Sequence, residues 1–136
     1  MSRPSGMFTI SSLDGGVSID LPNPDRESAK MLVSTLVHSG RNALAQVIAQ
    51  KIGRDQVKTE LAWNYLTIEE WEPLLQFWNS NFFFNFEYYD RVVGARLTRE
   101  CYVGDRNDQP FAIDVNGNPT AYVNCTANII DTGRSV

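Results

Sequence analysis

With 136 residues, the chain fits one domain, and a composition 43% hydrophobic and 11% aromatic gives that domain a core to bury. Twelve Lys and Arg against sixteen Asp and Glu leave a net charge of -4, which offers no electrostatic footprint for nucleic acid or an anionic membrane. No run of about 18 apolar residues occurs that would span a bilayer. The opening Met1–Met7 lacks the apolar segment of a secretory signal, so the chain is expected to fold in a cytoplasm.

In chain order, residues 7–21 read as a hairpin. Met7 and Thr9 face Val17 and Ile19 across Asp14-Gly15-Gly16, whose glycines supply the positive φ of a tight turn. Pro22 and Pro24 make residues 21–28 a loop. Residues 31–38 are short, apolar and β-branched, and Ser39-Gly40-Arg41-Asn42 reads as the turn that closes them. Residues 43–52 fit either period: as a helix, Leu44, Val47, Ile48 and Ile52 form a stripe; as a strand, the alternation is untidy. Strand is the better choice because Val57, Thr59, Leu61 and Trp63 alternate strictly next door and need a partner, with Gly53-Arg54-Asp55 as the connecting turn.

Residues 67–79 carry the clear helix signal. Thr67 and Glu70 form a capping box, Leu66 and Trp71 a hydrophobic staple, and Trp71, Leu74, Leu75 and Trp78 an apolar stripe. Pro73 interrupts the backbone bonding near the first turn. An aromatic strand follows, with Phe82, Phe84, Phe86 and Tyr88 on one face and Phe83, Asn85, Glu87 and Tyr89 on the other. After a turn at 90–94, residues 95–103 return with Leu97, Cys101 and Val103 inward and Arg96, Thr98 and Glu100 outward. Residues 104–119 read as a long polar loop. A last strand over 120–131 places Ala121, Val123, Cys125, Ala127 and Ile129 on one side, and Tyr122, Asn124, Thr126 and Asn128 on the other. Trp71, Trp78 and the Phe82–Phe86 cluster are expected in the core, with Phe83, Tyr89 or Tyr102 turned toward a second sheet or a neighbouring subunit.

Candidate chemistry is sparse. His38 is the lone histidine, and a nucleophile needs a base beside it. With Cys101 and Cys125 it makes too few and too scattered ligands for zinc. The two thiols are expected to be buried and inert, a bridge between adjacent strands being the alternative. Glu69 and Glu70 suit the positive end of the helix dipole without any acid–base role. Asp114, Asn116 and Asn118 have the oxygen spacing of a calcium loop but lack its sixth-position glycine and distal Glu, so a plain turn at Asn116-Gly117 is preferred. Asn124-Cys125-Thr126 matches a glycosylation sequon, read as coincidence. Arg91, Arg96, Arg99 and Arg106 are interspersed with Asp90, Glu100, Asp105 and Asp108, a mixed surface rather than a phosphate track. No catalytic, cofactor-binding or metal residue is assigned, and the chain is expected not to be an enzyme.

The layout from Lys58 to Gly104 resembles small tail proteins of bacteriophages and prophages. The residues that carry the likeness are Leu61-Ala62-Trp63, then Leu66-Thr67 with Glu70-Trp71 opening a short helix, then the aromatic strand. Tyr89-Asp90, the Gly94 turn, Tyr102 to Asp105 and a closing Asn128 to Gly133 complete it. The resemblance implies a mainly β (α+β) fold: an antiparallel β-sandwich or rolled β-barrel packed by one helix, over a single domain 1–136. It implies a non-catalytic structural subunit of the virion tail or baseplate, a distal-tail ring or adaptor, with a tail-tube or head–tail joining ring as the neighbouring possibility. Partners would be copies of itself, often six in such rings, and adjacent tail proteins, with no specific nucleic-acid binding and no membrane. Contacts are expected in the N-terminal arm (about 1–6), the 21–28 loop and the 104–119 loop. A monomeric carbohydrate- or peptide-binding β-module is the reading from a different class.

Overall fold

The computed structural model describes residues 5–25, 29–35, 37–41, 47–51 and 53–133, with the backbone alone at 5, 37–41 and 47–51. Its elements are β1 (Ser5–Ser11), β2 (Ser18–Pro22), β3 (Ala29–Ser34), β4 (Val37–Arg41) and β5 (Val47–Lys51). They continue with β6 (Gln56–Thr67), α1 (Ile68–Ser80), β7 (Phe83–Asp90), β8 (Ala95–Ile113) and β9 (Pro119–Asp131). Seven strands form one antiparallel sheet in the order β2-β1-β7-β8-β9-β6-β3, and β4 pairs with β5 in a second, two-stranded sheet. The protein is therefore mainly β with one packed helix, and the seven strands belong to one sheet that rolls.

Two contacts show the roll. The Trp63 indole N–H on β6 donates to the Pro22 carbonyl on β2 at 2.9 Å, although β2 lies at the far edge of the strand order. Arg91, between β7 and β8, donates to the Met31 carbonyl on the opposite edge strand β3 at 2.6 Å. Inside the roll a line of rings runs from sheet to helix and back. Trp63 meets Trp71 at 5.8 Å between centroids, Trp71 meets Trp78 at 6.5 Å, and Trp78 and Phe77 both meet Phe84 at 6.3 and 6.0 Å. A fully buried tryptophan removes roughly 200 Å² of apolar surface from water, worth about 5 kcal/mol, so these rings dominate the core.

The helix forms where its signals place it. Thr67 donates its N–H to the Glu70 carboxylate at 3.1 Å, and Leu66 and Trp71 are fully buried as a staple requires. Pro73 is tolerated because Pro73 and Glu69, whose carbonyl loses its partner, both sit on the solvent face. The buried stripe includes Phe77, beyond the four residues expected, while Leu75 is only partly covered. The first hairpin also forms as expected. The Asp14 carboxylate accepts from the Ser12 hydroxyl at 2.6 Å and the Gly16 N–H at 2.8 Å, which together hold its pKa below the ordinary carboxylate range.

Several expectations are corrected. The N-terminal arm ends sooner than residue 6, because Ser5 already opens β1; residues 1–4 lie outside the described residues. The 21–28 loop begins only after Pro22, and Leu21 is fully buried; residues 26–28 lie outside the described set. The segment 31–38 is two strands, and Ser39-Gly40-Arg41 lies within β4 rather than in a turn. Residues 47–51 of the 43–52 segment are strand, but β5 pairs with β4, while β6 pairs with β3 and β9. Pairing of β3 with β6 from Ala29 to Ser34 satisfies the alternation of β6 from another partner, so the Gly53–Asp55 turn joins β5 to β6 without making them a hairpin.

The largest correction concerns residues 104–119. Residues 104–113 continue β8 as a 19-residue strand paired along β9, and the loop shrinks to 114–118. Register shifts between β8 and β9 accompany it, and Asn124 adopts φ 54. Such a bulge flips the inside–outside parity of a strand. Tyr122, expected on the outer row, consequently turns inward and donates its hydroxyl to Glu72 of the helix at 2.8 Å. Val123, expected on the inner side, is only half-buried.

Burial raises the thiol of Cys101 well above its ordinary value of 9.0, and burial followed by the Glu72 contact pushes Tyr122 from 10.0 up to about 12. Both groups are held neutral in the fold. The unfolded chain gives up these protons at lower pH than the native one, so unfolding releases protons and stability falls with rising pH. Melting followed by circular dichroism should show a midpoint steady up to about pH 8 and dropping progressively above about pH 9.

Candidate interaction surface

His38 stands in β4 opposite Gln50, its side chain lying outside what is described. Cys101 and Cys125 are both buried and unbridged. On β9, Cys101 faces Asp131, six residues along from Cys125, a separation of about 20 Å at the usual strand rise, so the bridging alternative is removed. Among the described residues, no three His, Cys, Asp or Glu side chains gather as a metal would require.

Asp114 closes the β8–β9 turn. Its Oδ1 accepts the N–H groups of Asn116 at 2.8 Å and Asn118 at 3.0 Å, and Gly117, at φ 82, donates to the Asp114 carbonyl at 3.1 Å. The oxygen spacing of a calcium loop is thus an Asx-type turn whose acceptor is already filled by amides. The sequon Asn124-Cys125-Thr126 lies in β9, between β8 and β6, with Cys125 fully buried.

The arginines and acids pin strands to one another. Arg54 forms a two-pronged pair with the buried Asp131, at 2.5 and 2.8 Å. Arg96 binds Glu87 at 2.8 Å and the Gly6 carbonyl at 3.0 Å across strands, whereas Arg106 binds the Gly104 carbonyl at 3.0 Å within β8 itself. Asp108 accepts the Trp71 indole N–H at 2.7 Å, tying the outer part of β8 to the helix. Buried Asp90 accepts from Val92 and Val93 and so builds the β7–β8 turn.

What remains unspent is apolar surface. Phe83 and Tyr89 face outward, as the alternation of β7 predicts, at 39% and 57% exposure. Phe82, placed in the core by the sequence, is instead 53% exposed: the strand begins at Phe83, so Phe82 precedes the alternation. It packs on its neighbours, 4.9 Å from Phe83 and stacked at 5.5 Å on Tyr102. Beside this ring cluster a cleft of 370 Å³ is lined by Ser12, Leu13, Asp14, Ser80, Asn81, Phe82 and Phe83. A second group lies on the β8–β9 hairpin, where Phe111, Ile113 and Val115 are exposed and Phe111 meets Tyr65 edge-on at 5.9 Å. The sequence reading missed this group. Its signal was the alternating Phe111 and Ile113, hidden behind Asp105, Asp108 and Pro110. Pro110 is admissible because, among the described residues, β8 has no strand on its second side past Tyr102, and proline is tolerated on an edge strand.

No protein-family model matches the sequence, and no curated protein matches it. Among the described residues, no helix is long and apolar enough to cross a membrane.

If Asp114 serves the turn, Asp114→Ala should cost about 0.5–1.5 kcal/mol in urea unfolding, because the two exposed amides exchange a carboxylate acceptor for water. Millimolar calcium, the range of weak loop sites, should leave the melting midpoint of the unaltered protein unchanged.

Proposed function

We propose that the protein is a non-catalytic structural subunit that assembles with copies of itself and with neighbouring proteins, as a ring or adaptor of a phage-like tail or baseplate. The observation that carries the reading is the surplus of large apolar side chains outside a core that is already full. Among the described residues, twenty close the interior, yet Phe82, Phe83 and Tyr102 cluster on one surface and Phe111, Ile113 and Val115 on another. Exposed aromatic and apolar anchors are what interface centres are built from. The resemblance of roughly residues 40–133 to phage tail proteins supports a virion tail as the particle. A tail-tube or head–tail joining ring would use the same surfaces.

One feature favours a second reading, a carbohydrate-binding module. The cleft beside Phe82 and Phe83 sets ring faces next to the polar Ser12, Asp14 and Asn81. Such a module would act as a monomer.

The two readings separate on Phe82→Ser combined with Phe83→Ser. Both rings are exposed, so the variant should melt within a few degrees of the unaltered protein. Gel filtration should show self-association weakened by at least about tenfold, the equivalent of one lost interface anchor. Unchanged association would contradict the subunit reading at this surface, and loss of glycan-array binding by a monomer would favour the module.

A further inference from the structure

Two paired-strand extensions leave the sheet at opposite ends. The first is β4–β5. It follows β3 and precedes β6 beyond the Ser34–Gln56 pair, and among the described residues it pairs with no other strand. An isolated two-stranded ribbon is marginal in water, so this one calls for a partner. The second is the outer half of β8–β9. On β9, Ile130 stands opposite Lys58 at the start of β6, and Ala121 opposite Thr67 at its end. The β8–β9 turn therefore projects from the end of the sheet opposite β4–β5. Past the Phe83–Tyr102 pair, β8 has β9 on one side and, among the described residues, no strand on the other. The open stretch from Val103 to Gln109 ends at Pro110 and exceeds the five residues of β4 or β5.

The two extensions are opposite in charge. Val37 to Lys51 contains Arg41 and Lys51 and no acidic residue, +2 with His38 neutral. Gly104 to Asn118 contains Asp105, Asp108 and Asp114 against Arg106, which is three negative and one positive, or −2. The acidic extension also carries the exposed Phe111, Ile113 and Val115, two-thirds or more of each open to solvent.

We propose that the β4–β5 ribbon of one copy docks on the open, acidic β8–β9 extension of the next copy, so that subunits join head to tail. The inference rests on the self-assembly reading above and names its contact. Opposite charges set partner and register, and the three apolar side chains supply the area removed from water. Because donor and acceptor sit at opposite ends of one chain, the contact is heterologous. It closes into a ring or runs on as a stack according to the rotation per step.

The test is a charge exchange read by light scattering across a concentration series. It uses the full chain, Arg41→Glu with Lys51→Glu, Asp105→Lys, and an equimolar mixture of the two variants. Asp105 is exposed, and melting midpoints confirm that each variant folds. Each variant alone should associate at least about tenfold more weakly than the unaltered chain. The mixture should recover association, since the +2 ribbon of the Asp105→Lys chain again meets the −2 extension of the Arg41→Glu, Lys51→Glu chain, and the other contact sets a −2 ribbon against a neutral extension rather than a −2 one. Variants that associate as well as the unaltered chain would overturn this contact and leave self-assembly standing. Weakened variants whose mixture fails to recover would likewise overturn the pairing of these two extensions. An unaltered chain that stays monomeric throughout would overturn both the assembly reading and this inference.

Discussion

The indole N–H of Trp63 bonded to the carbonyl of Pro22 joins strands that stand far apart in the hydrogen-bonded order of the sheet. That contact is possible only in a rolled sheet, and the roll decides what else the chain can do. It leaves a space lined by β6, β9 and β2 into which α1 fits, with Trp71 set against Trp63 and Trp78 carrying the contact on to Phe84. A carbonyl beside two prolines has few backbone partners to choose from, so the indole also satisfies a group that burial would otherwise penalise. Lost together, the bond and the packing of Trp63 would leave β2 and the helix without their shared surface, a loss of about 3–5 kcal/mol on the scale of buried tryptophan truncations.

Around this centre the charged residues have structural employment. Asp131 with Arg54, Asp108 with Trp71, Glu72 with Tyr122 and Asp90 with the β7–β8 turn each fix one element against another. Groups that in another fold would form a site are here committed to geometry. Among the described residues the exterior also carries large exposed apolar side chains and an edge strand, features that favour contact with other chains.

Local signals were legible in the sequence, and choices of partner were not. Asp14-Gly15-Gly16, the Thr67–Glu70 box and the alternating Phe84, Phe86 and Tyr88 each act within a few residues, and each gave its element with close boundaries. The pairing of β6 with β3 and β9 depends on residues more than twenty positions away, which no local period encodes. Residues 104–113 misled because charge and Pro110 mark loops in most sheets. Here they mark an edge strand, since among the described residues no strand pairs with the second side of β8 past Tyr102. The parity flip at Asn124 has the same origin: a bulge has no sequence period, so Tyr122 read as outward when it faces Glu72. Of the interaction surface, Phe83 and Tyr89 could be read from the period of β7. Phe82 and the Phe111–Val115 group required knowing where strands begin and end.

The central claim is that this chain works by assembling, and the mass of the purified 15.3 kDa protein in solution tests it most directly. Light scattering at rising micromolar concentration should give a discrete multiple of the chain mass, or growth toward a closed ring or stack. A mass that stays at one chain across the whole range would contradict the account.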